Sequence, residues 1–199
     1  MFFEDFWNLV YRPKPTWRKI RKHKYGLRHS FFTQLSWMAA IPAMSFFIGT
    51  TQMGWSLGNS DYHTLTIASA LPISITMYFT LIAIVAGLGA GIYSMERTYG
   101  AHSGLRNCMV LATFVASPML GAGIVGLWPV VWVTVFVMLI ALCVSLYFLF
   151  TGIPVMMKVS EERGFLFSIS VVTLALCFLV ALIAVSVIAY SNWLPLTLS

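Results

Sequence analysis

Few side chains in this sequence could carry acid–base or metal chemistry, and none lies in an arrangement that predicts it. The chain has 6 acidic residues, 4 histidines and 3 cysteines. No two of the histidines have the spacing of metal ligands on one helix; they are His23, His29, His63 and His102. Asp61 beside His63 comes nearest to a metal-binding pair, and the more ordinary interpretation of it is a solvated loop. We therefore predict no catalytic residue, no metal site and no cofactor.

The sulfur-containing residues also occupy positions where ordinary packing residues would serve. Cys108, Cys143 and Cys177 lie in three separate apolar runs and form no Cys-x-x-Cys pair. Their spacing therefore indicates neither a disulfide framework nor a thiolate metal site. The 11 methionines lack the regular spacing of a copper pathway, and methionine commonly fills gaps in apolar packing.

The composition shows which class of protein carries so few polar groups. Of the 199 residues, 59% are hydrophobic and 9% are charged, and the mean hydropathy is +0.86. About a quarter of the residues of a soluble domain are charged, so we predict an all-α, polytopic membrane protein. The net charge of +6 is concentrated near the N-terminus, which favours a membrane surface rather than nucleic acid as the partner.

Five apolar runs are long enough to cross a bilayer, which takes about 20 apolar residues in a helix. The predicted spans are 31–51, 65–93, 107–127, 130–151 and 165–190. They form one membrane domain over 31–199, preceded by a separate segment at 1–30. No ionisable residue lies well inside a span, and this argues against a transporter coupled to protons or ions.

The distribution of basic residues predicts the orientation of the chain. Of the 12 lysines and arginines, eight precede the first span, two lie at 94–106 and two lie at 152–164. The other three hydrophilic segments have none. By the positive-inside rule, we predict a cytoplasmic N-terminus, an external C-terminus and location in a cell inner membrane.

The segment before the first span is the candidate binding region. Residues 1–12 predict an amphipathic helix with Phe6, Leu9 and Val10 on its apolar face and Asp5 on its polar face, lying among lipid headgroups. Prolines end this helix, and Thr16 is the expected N-cap of a second, basic helix. The predicted lipid- or partner-binding residues are Phe2, Phe3, Phe6, Trp7, Lys14, Trp17, Arg18, Lys19, Arg21 and Lys22. The alternative is a topology anchor without ligand specificity.

Small residues and prolines within the spans indicate how the helices pack and bend. Gly87, Gly89 and Gly91 give a Gly-x-x-x-Gly pattern, and further small residues occupy 117–126; we expect both sets to form contacts within the bundle, with a homo-oligomer interface as the alternative. Helix breaks are predicted at Pro42, Pro118, Gly152 and Pro154. The last two are expected to loosen or end the fourth span. Pro42 and Pro118 lie at corresponding positions of two other spans, and broken helices at such positions can mark a substrate site.

Several stretches, taken in order, resemble a known family. They are 12–17 (Arg-Pro-Lys-Pro-Thr-Trp), 41–42 (Ile-Pro), 48–55 (Ile-Gly-Thr-Thr-Gln-Met-Gly-Trp), 116–118 (Ala-Ser-Pro), 127–129 (Leu-Trp-Pro) and 151–154 (Thr-Gly-Ile-Pro). The set resembles the bacterial inner-membrane branch of the Yip family of Ypt/Rab-interacting proteins. The resemblance implies a five-helix membrane domain with a cytoplasmic N-terminus. Eukaryotic members associate with Rab GTPases, but this chain lacks their Asp-Leu-Tyr-Gly-Pro signature, so the resemblance does not extend to Rab recruitment.

These observations together predict a membrane protein without enzymatic activity. We expect it to organise or recruit membrane lipids, in particular anionic ones, or protein partners at the cytoplasmic face. A homo-oligomer is a further expectation for its partners, and nucleic acid is not one. The alternative function is a passive transporter or lipid-translocating protein that works through the kinks at Pro42 and Pro118.

Overall fold

The computed structural model describes residues 2–22, 33–54, 65–128 and 130–192, without the side chains of Phe2, Phe3 and 185–192. This part of the chain is helical and contains no β-sheet. The helices are α1 (Phe2–Tyr11), α2 (Pro13–Lys22), α3 (Leu35–Ile48), α4 (Ile67–Glu96), α5 (Leu105–Ala122), α6 (Val131–Met157) and α7 (Glu161–Asn192). A π-helical turn, Gly49–Met53, continues α3, and a 3-10 segment, Gly123–Leu127, continues α5. The predictions about His23, His29, Asp61, His63, Pro129 and the C-terminal tail lie outside the described residues.

Four helices are long and apolar enough to cross a membrane: α4, α5 with its 3-10 segment, α6 and α7 up to Ala184. The first predicted span, 31–51, is not among these four: α3 has 14 residues, and its π-helical turn extends the helix to Met53. At its end, the hydroxyls of Thr50 and Thr51 donate to the carbonyls of Phe46 and Phe47 over 2.8 and 2.7 Å. The coarse prediction of an all-helical, multi-span protein is confirmed, with four candidate spans among the described residues.

The three prolines at which helix breaks were predicted lie inside helices. Pro42, Pro118 and Pro154 are all internal to their helices. Gly152 and Pro154 were expected to loosen or end the fourth span, and they do not end it, because α6 continues to Met157 and ends where Lys158 adopts the left-handed conformation, with φ 58°. A proline is tolerated in a membrane helix when neighbouring groups satisfy the backbone that it frees.

Helix α5 is the centre of the bundle. In its most apolar stretch 61% of the residues are buried, compared with 17–22% in the other three spans. Its 3-10 segment packs on α3, since an added Cβ at Gly123 would lie 2.4 Å from Cβ of Pro42. An added Cβ at Gly49 would lie 2.1 Å from the carbonyl oxygen of Gly126. The small residues at 117–126 thus form contacts within the bundle, except for Gly121, which has no such neighbour within 4 Å.

The glycines of α4 pack in two directions. An added Cβ at Gly91 would lie 2.2 Å from Cδ2 of Leu174, and one at Gly87 would lie 3.4 Å from Cζ of Phe178, so both face α7. Gly89 faces α5, where the sulfur of Met109 would lie 2.5 Å from an added Cβ. The expectation that these glycines mediate helix contacts inside the chain is confirmed.

Candidate functional site

Helices α1 and α2 pack against each other at one end of the bundle. Asp5 has no exposed surface and accepts a hydrogen bond from Nζ of Lys19 over 2.8 Å. This bond and the charge of Asp5 raise the pKa of Lys19 above its ordinary value. The hydroxyl of Thr16 donates to the carbonyl of Arg12 over 2.7 Å. Asp5 was expected on the polar face and is instead buried, because the partner helix covers it.

Helix α2 begins three residues earlier than predicted. Its first residue is Pro13, where proline is favoured because the missing N–H has no acceptor in the first turn of a helix. Thr16 is therefore inside the helix and does not act as the N-cap. Its hydroxyl bonds backwards to the end of α1, reaching the carbonyl of Asn8 over 3.2 Å, and so helps to hold the two helices together.

Trp17 attaches α2 to the bundle. Its side chain is fully buried, its Nε1 donates to the hydroxyl of Thr151 over 3.4 Å, and its ring meets Phe114 edge-on with the centroids 5.8 Å apart. An added Cβ at Gly152 would lie 2.9 Å from two atoms of the indole and 2.7 Å from Cδ1 of Leu111. Gly152 therefore acts as a socket for the indole, not as a break in α6.

A second contact lies one turn further along both helices. Nη1 of Arg21 donates to the carbonyl of Val155 over 2.5 Å, and the hydroxyl of Ser103 donates to the carbonyl of Met156 over 3.2 Å. The last four carbonyls of a helix have no donor within it, and that end carries a partial negative charge. Arg21 and Ser103 thus supply hydrogen-bond donors to two of the free carbonyls at the C-terminal end of α6.

These contacts bring the three basic segments to one end of the bundle. Arg21 ties α2 to the end of α6, Ser103 ties the 97–104 loop to it, and Nζ of Lys14 lies 2.8 Å from Oε1 of Glu161 at the start of α7. The Lys14–Glu161 pair is exposed on both sides, so it contributes little to stability. Every described lysine and arginine belongs to this end.

The predicted binding residues fall into two groups in the structure. Trp17, Lys19, Arg21 and Lys14 make contacts within the chain, and Phe6 is half-buried with its ring edge-on to Phe148 at 5.6 Å. Trp7, Arg18 and Lys22 point outward. The side chains of Phe2 and Phe3 lie outside the described residues.

The outward face of α1 differs from the predicted one. Val10 was expected to share the apolar face of α1 with Leu9, yet Leu9 is buried and Val10 is exposed, as are Trp7 and Tyr11, which are 59% and 77% exposed. The rings of Trp7 and Tyr11 stack at 6.5 Å with an interplanar angle of 23°. Sequence analysis missed Tyr11, although its spacing from Trp7, i and i+4, was the available signal. This short helix carries apolar residues on most of its sides, so the sequence pattern did not determine which face packs against the bundle.

Sequence analysis also missed a buried carboxylate at the same end. Glu96, the last residue of α4, is 5% exposed. Its Oε2 accepts the backbone N–H groups of Ser103 and Gly104 over 3.1 and 3.3 Å, and the thiol of Cys108 lies 3.6 Å away. A carboxylate is favourable beside the positive end of α5. Glu96 therefore holds the 97–104 loop and the start of α5 in place.

The remaining candidates form no reactive cluster in the part of the chain that the structure describes. No group of three or more histidine, cysteine, aspartate or glutamate residues there could hold a metal ion. Pro42 and Pro118, whose kinks were the candidate substrate site, are both buried, and Pro42 packs on Gly123. Pro42 therefore lies in a packing contact between α3 and the 3-10 segment that follows α5.

Comparison with known proteins assigns this arrangement to a family. The model of the Yip1 domain matches residues 7–182, from the outward face of α1 into α7. The chain belongs to the Yip1 domain family. It is similar to the inner membrane protein YohC of Escherichia coli strain K12, with 34% identity over 184 residues that cover 92% of this chain and 94% of YohC. YohC of Escherichia coli O6:H1 matches to the same extent. No solved structure matches the chain.

The family assignment covers the elements described above. The matched region includes Trp17, its socket Gly152 and the buried Glu96. The Yip1 match and the four apolar helices together make the chain a multi-span membrane protein. The resemblance noted in the sequence is therefore confirmed at the level of the family.

Proposed function

We propose that this Yip1 family protein is a non-enzymatic protein of the cell inner membrane that binds anionic lipid headgroups through its docked N-terminal helices. In this way it organises lipids, and the protein partners that bind them, at the cytoplasmic face. The observation that carries the proposal is the division of α2 into two sides. Trp17 and Arg21 fix one side to α6, while Arg18 and Lys22 are exposed on the other.

The path of the chain supports five crossings and a cytoplasmic N-terminus. Helix α4 ends at the basic end of the bundle, so its first residues lie at the opposite end. The N–H of Leu65 donates to the carbonyl of Thr50 over 3.0 Å, which places the end of α3 at that opposite end too. Because α2 lies at the basic end, the chain changes sides between Lys22 and Thr50. The concentration of basic residues favours the cytoplasm for that end.

The exposed residues suit the boundary between headgroups and acyl chains. Trp7 and Tyr11 present amphipathic rings, which are enriched at membrane interfaces. Arg18 and Lys22 carry charges on long apolar stems that reach towards headgroups. Each basic residue near an anionic leaflet contributes about 1 kcal/mol to the attraction. Docking on α6 holds these groups in place before a lipid arrives, which lowers the entropy lost on binding.

The test compares two pairs of substitutions in the full-length protein. Native mass spectrometry of protein from nanodiscs that contain phosphatidylglycerol and phosphatidylcholine counts the lipids retained. Arg18→Gln with Lys22→Gln should lower the preference for phosphatidylglycerol by about tenfold or more, since two charges near the headgroups are lost. The loss should be smaller at high salt, where the charges are screened.

The control pair removes the same charge from the same end of the bundle but outside α2. Arg97→Gln with Lys158→Gln affects two exposed residues and should change the preference much less. Equal losses in both pairs would mean that only the net charge matters and that α2 is not a site. An unchanged preference in the first pair, or retention of a second polypeptide in place of lipid, would also contradict headgroup binding.

A further inference from the structure

An apolar groove of about 390 Å³ lies between α3 and α4. Three of its lining residues are small, Ala40, Ala43 and Ser74, and the two buried ones, Ala43 and Ser74, form its floor. Large residues flank this floor on both helices. Among them Met44 is 62% exposed and Phe79 is 63% exposed.

The two hydroxyls in the lining, those of Ser74 and Tyr78, already form hydrogen bonds within the protein. The hydroxyl of Ser74 donates to the carbonyl of Ala70 over 2.9 Å. The hydroxyls of Tyr78 and Ser36 bond to one another over 2.5 Å. The other eight lining residues are apolar, so a polar occupant would lose most of its hydrogen bonds to water on entry. The groove therefore suits hydrocarbon.

The position of the groove places it within the bilayer and away from the basic end. Its lining extends over nine residues of α4, from Leu71 to Phe79, or about 12 Å along the helix. Phe79 is 17 residues from Glu96 at the basic end, which corresponds to about 25 Å. The groove therefore faces the acyl chains of the opposite leaflet, and it runs along the helices as those chains do.

The shape of the groove favours a hydrocarbon chain over a closely approaching helix as its occupant. Helices associate in membranes where small residues let two backbones approach closely. Here the small residues are at the bottom, and exposed side chains such as Met44, Leu71 and Phe79 stand on either side of them. These side chains would keep the backbone of another helix away from Ala43. A flexible hydrocarbon chain can enter between them.

We propose that this groove binds one acyl chain of a membrane phospholipid from the leaflet opposite the basic end. The site is independent of the headgroup-binding face on α1 and α2, because it lies at the other end of the bundle. It gives the protein a second lipid contact, which depends on the chain of the lipid and not on the charge of its headgroup.

Photolabelling of the full-length protein in nanodiscs tests this site. The probe is a phosphatidylcholine with a diazirine in the middle of one acyl chain, and mass spectrometry of the digested protein locates the label. We expect labelling of Met44 and Phe79 well above that of Phe136 in α6, which is equally exposed, at 64%. Ala43→Leu should lower the groove label by about tenfold, which corresponds to lost contact for about two methylene groups.

Two further variants separate loss of the site from loss of the fold. Ala90→Leu adds the same side chain at an exposed position of α4 outside the groove and should leave the label unchanged. Met44→Ala removes an exposed side chain without filling the floor and should also lower the label at Phe79. Groove labelling no higher than at Phe136 would show only surrounding lipid and overturn the proposal. Cross-linking of Met44 to a second copy, or labelling by a free diazirine fatty acid but not by the phospholipid, would overturn it too.

Discussion

The indole of Trp17 in α2 packs against the backbone of Gly152 in α6, where any side chain would collide with it. An added Cβ at Gly152 would lie 2.9 Å from Cε2 and Cζ2 of the indole. This contact thus joins a tryptophan of the N-terminal segment to a glycine near the end of α6. This contact decides which residues of α2 remain free to face the membrane.

Gly152→Ala should displace α2 from the bundle. The indole is rigid, so the added methyl group forces a shift that costs about 1–3 kcal/mol of the free energy of unfolding. Hydrogen exchange of residues 13–22 should become faster. Gly121→Ala is the matched control, since nothing lies within 4 Å of its added Cβ; there alanine should be neutral or stabilising. Equal exchange rates in the two variants would contradict the close contact between Gly152 and the indole of Trp17.

Replacing two tryptophans should separate packing from membrane contact. Trp17→Ala removes a fully buried side chain and should lower the free energy of unfolding by about 3–5 kcal/mol. Trp7→Ala removes a side chain that is 59% exposed and should leave stability almost unchanged while lowering the retention of phosphatidylglycerol. Chemical unfolding and native mass spectrometry of the full-length protein from nanodiscs measure the two effects. A large loss of stability in Trp7→Ala would contradict this division.

Two arginines in α2 should behave in opposite ways. Arg21→Gln removes the charged donor to the carbonyl of Val155 and should cost about 1–2 kcal/mol of the free energy of unfolding. Arg18→Gln changes an exposed residue and should affect lipid preference but not stability. Thermal unfolding and lipid retention, measured on both variants, check the prediction. It fails if the two substitutions destabilise the protein equally.

Glu96→Ala should loosen the loop between α4 and α5. It leaves the N–H groups of Ser103 and Gly104 without their carboxylate acceptor, at a cost of about 1–3 kcal/mol. Their amide hydrogens should exchange faster, and Glu96→Gln should restore part of the protection because it retains an acceptor oxygen. Glu162→Ala, at an exposed position of α7, serves as the control. Unchanged exchange in Glu96→Ala would mean that other contacts hold the loop.

The contact between Lys19 and Asp5 should be lost at high pH. The hydrogen bond to Asp5 raises the pKa of Lys19 above its ordinary value of 10.5. The stabilisation is therefore complete below 10.5 and disappears as the pH rises through the folded-state pKa. Limited proteolysis of α1 should accelerate there in the wild type but not in Lys19→Arg, since arginine stays charged. The same pH dependence in both proteins would exclude Lys19 as its origin.

Sequence analysis was successful where a property depends on composition along one segment. It predicted the helical class, the apolar runs and the contact role of Gly87, Gly89 and Gly91. It was wrong about Asp5, whose carboxylate meets Lys19, and about the end of α6. It did not reveal Tyr11 on the outward face of α1 or the burial of Glu96. In each of these cases the burial or exposure of a side chain, or the end of a helix, depends on how that helix packs against another element.

The sequence by itself determined that this protein is a helical membrane protein with its basic residues in three segments, because hydrophobicity and charge act on each segment separately. Only the tertiary structure decided which side of α2 faces inward. Trp17 and Thr151 are 134 residues apart in the chain, and no local pattern records that the two will meet. The groove between α3 and α4 has the same origin, since small floor residues and large flanking residues acquire their meaning only when two helices lie side by side.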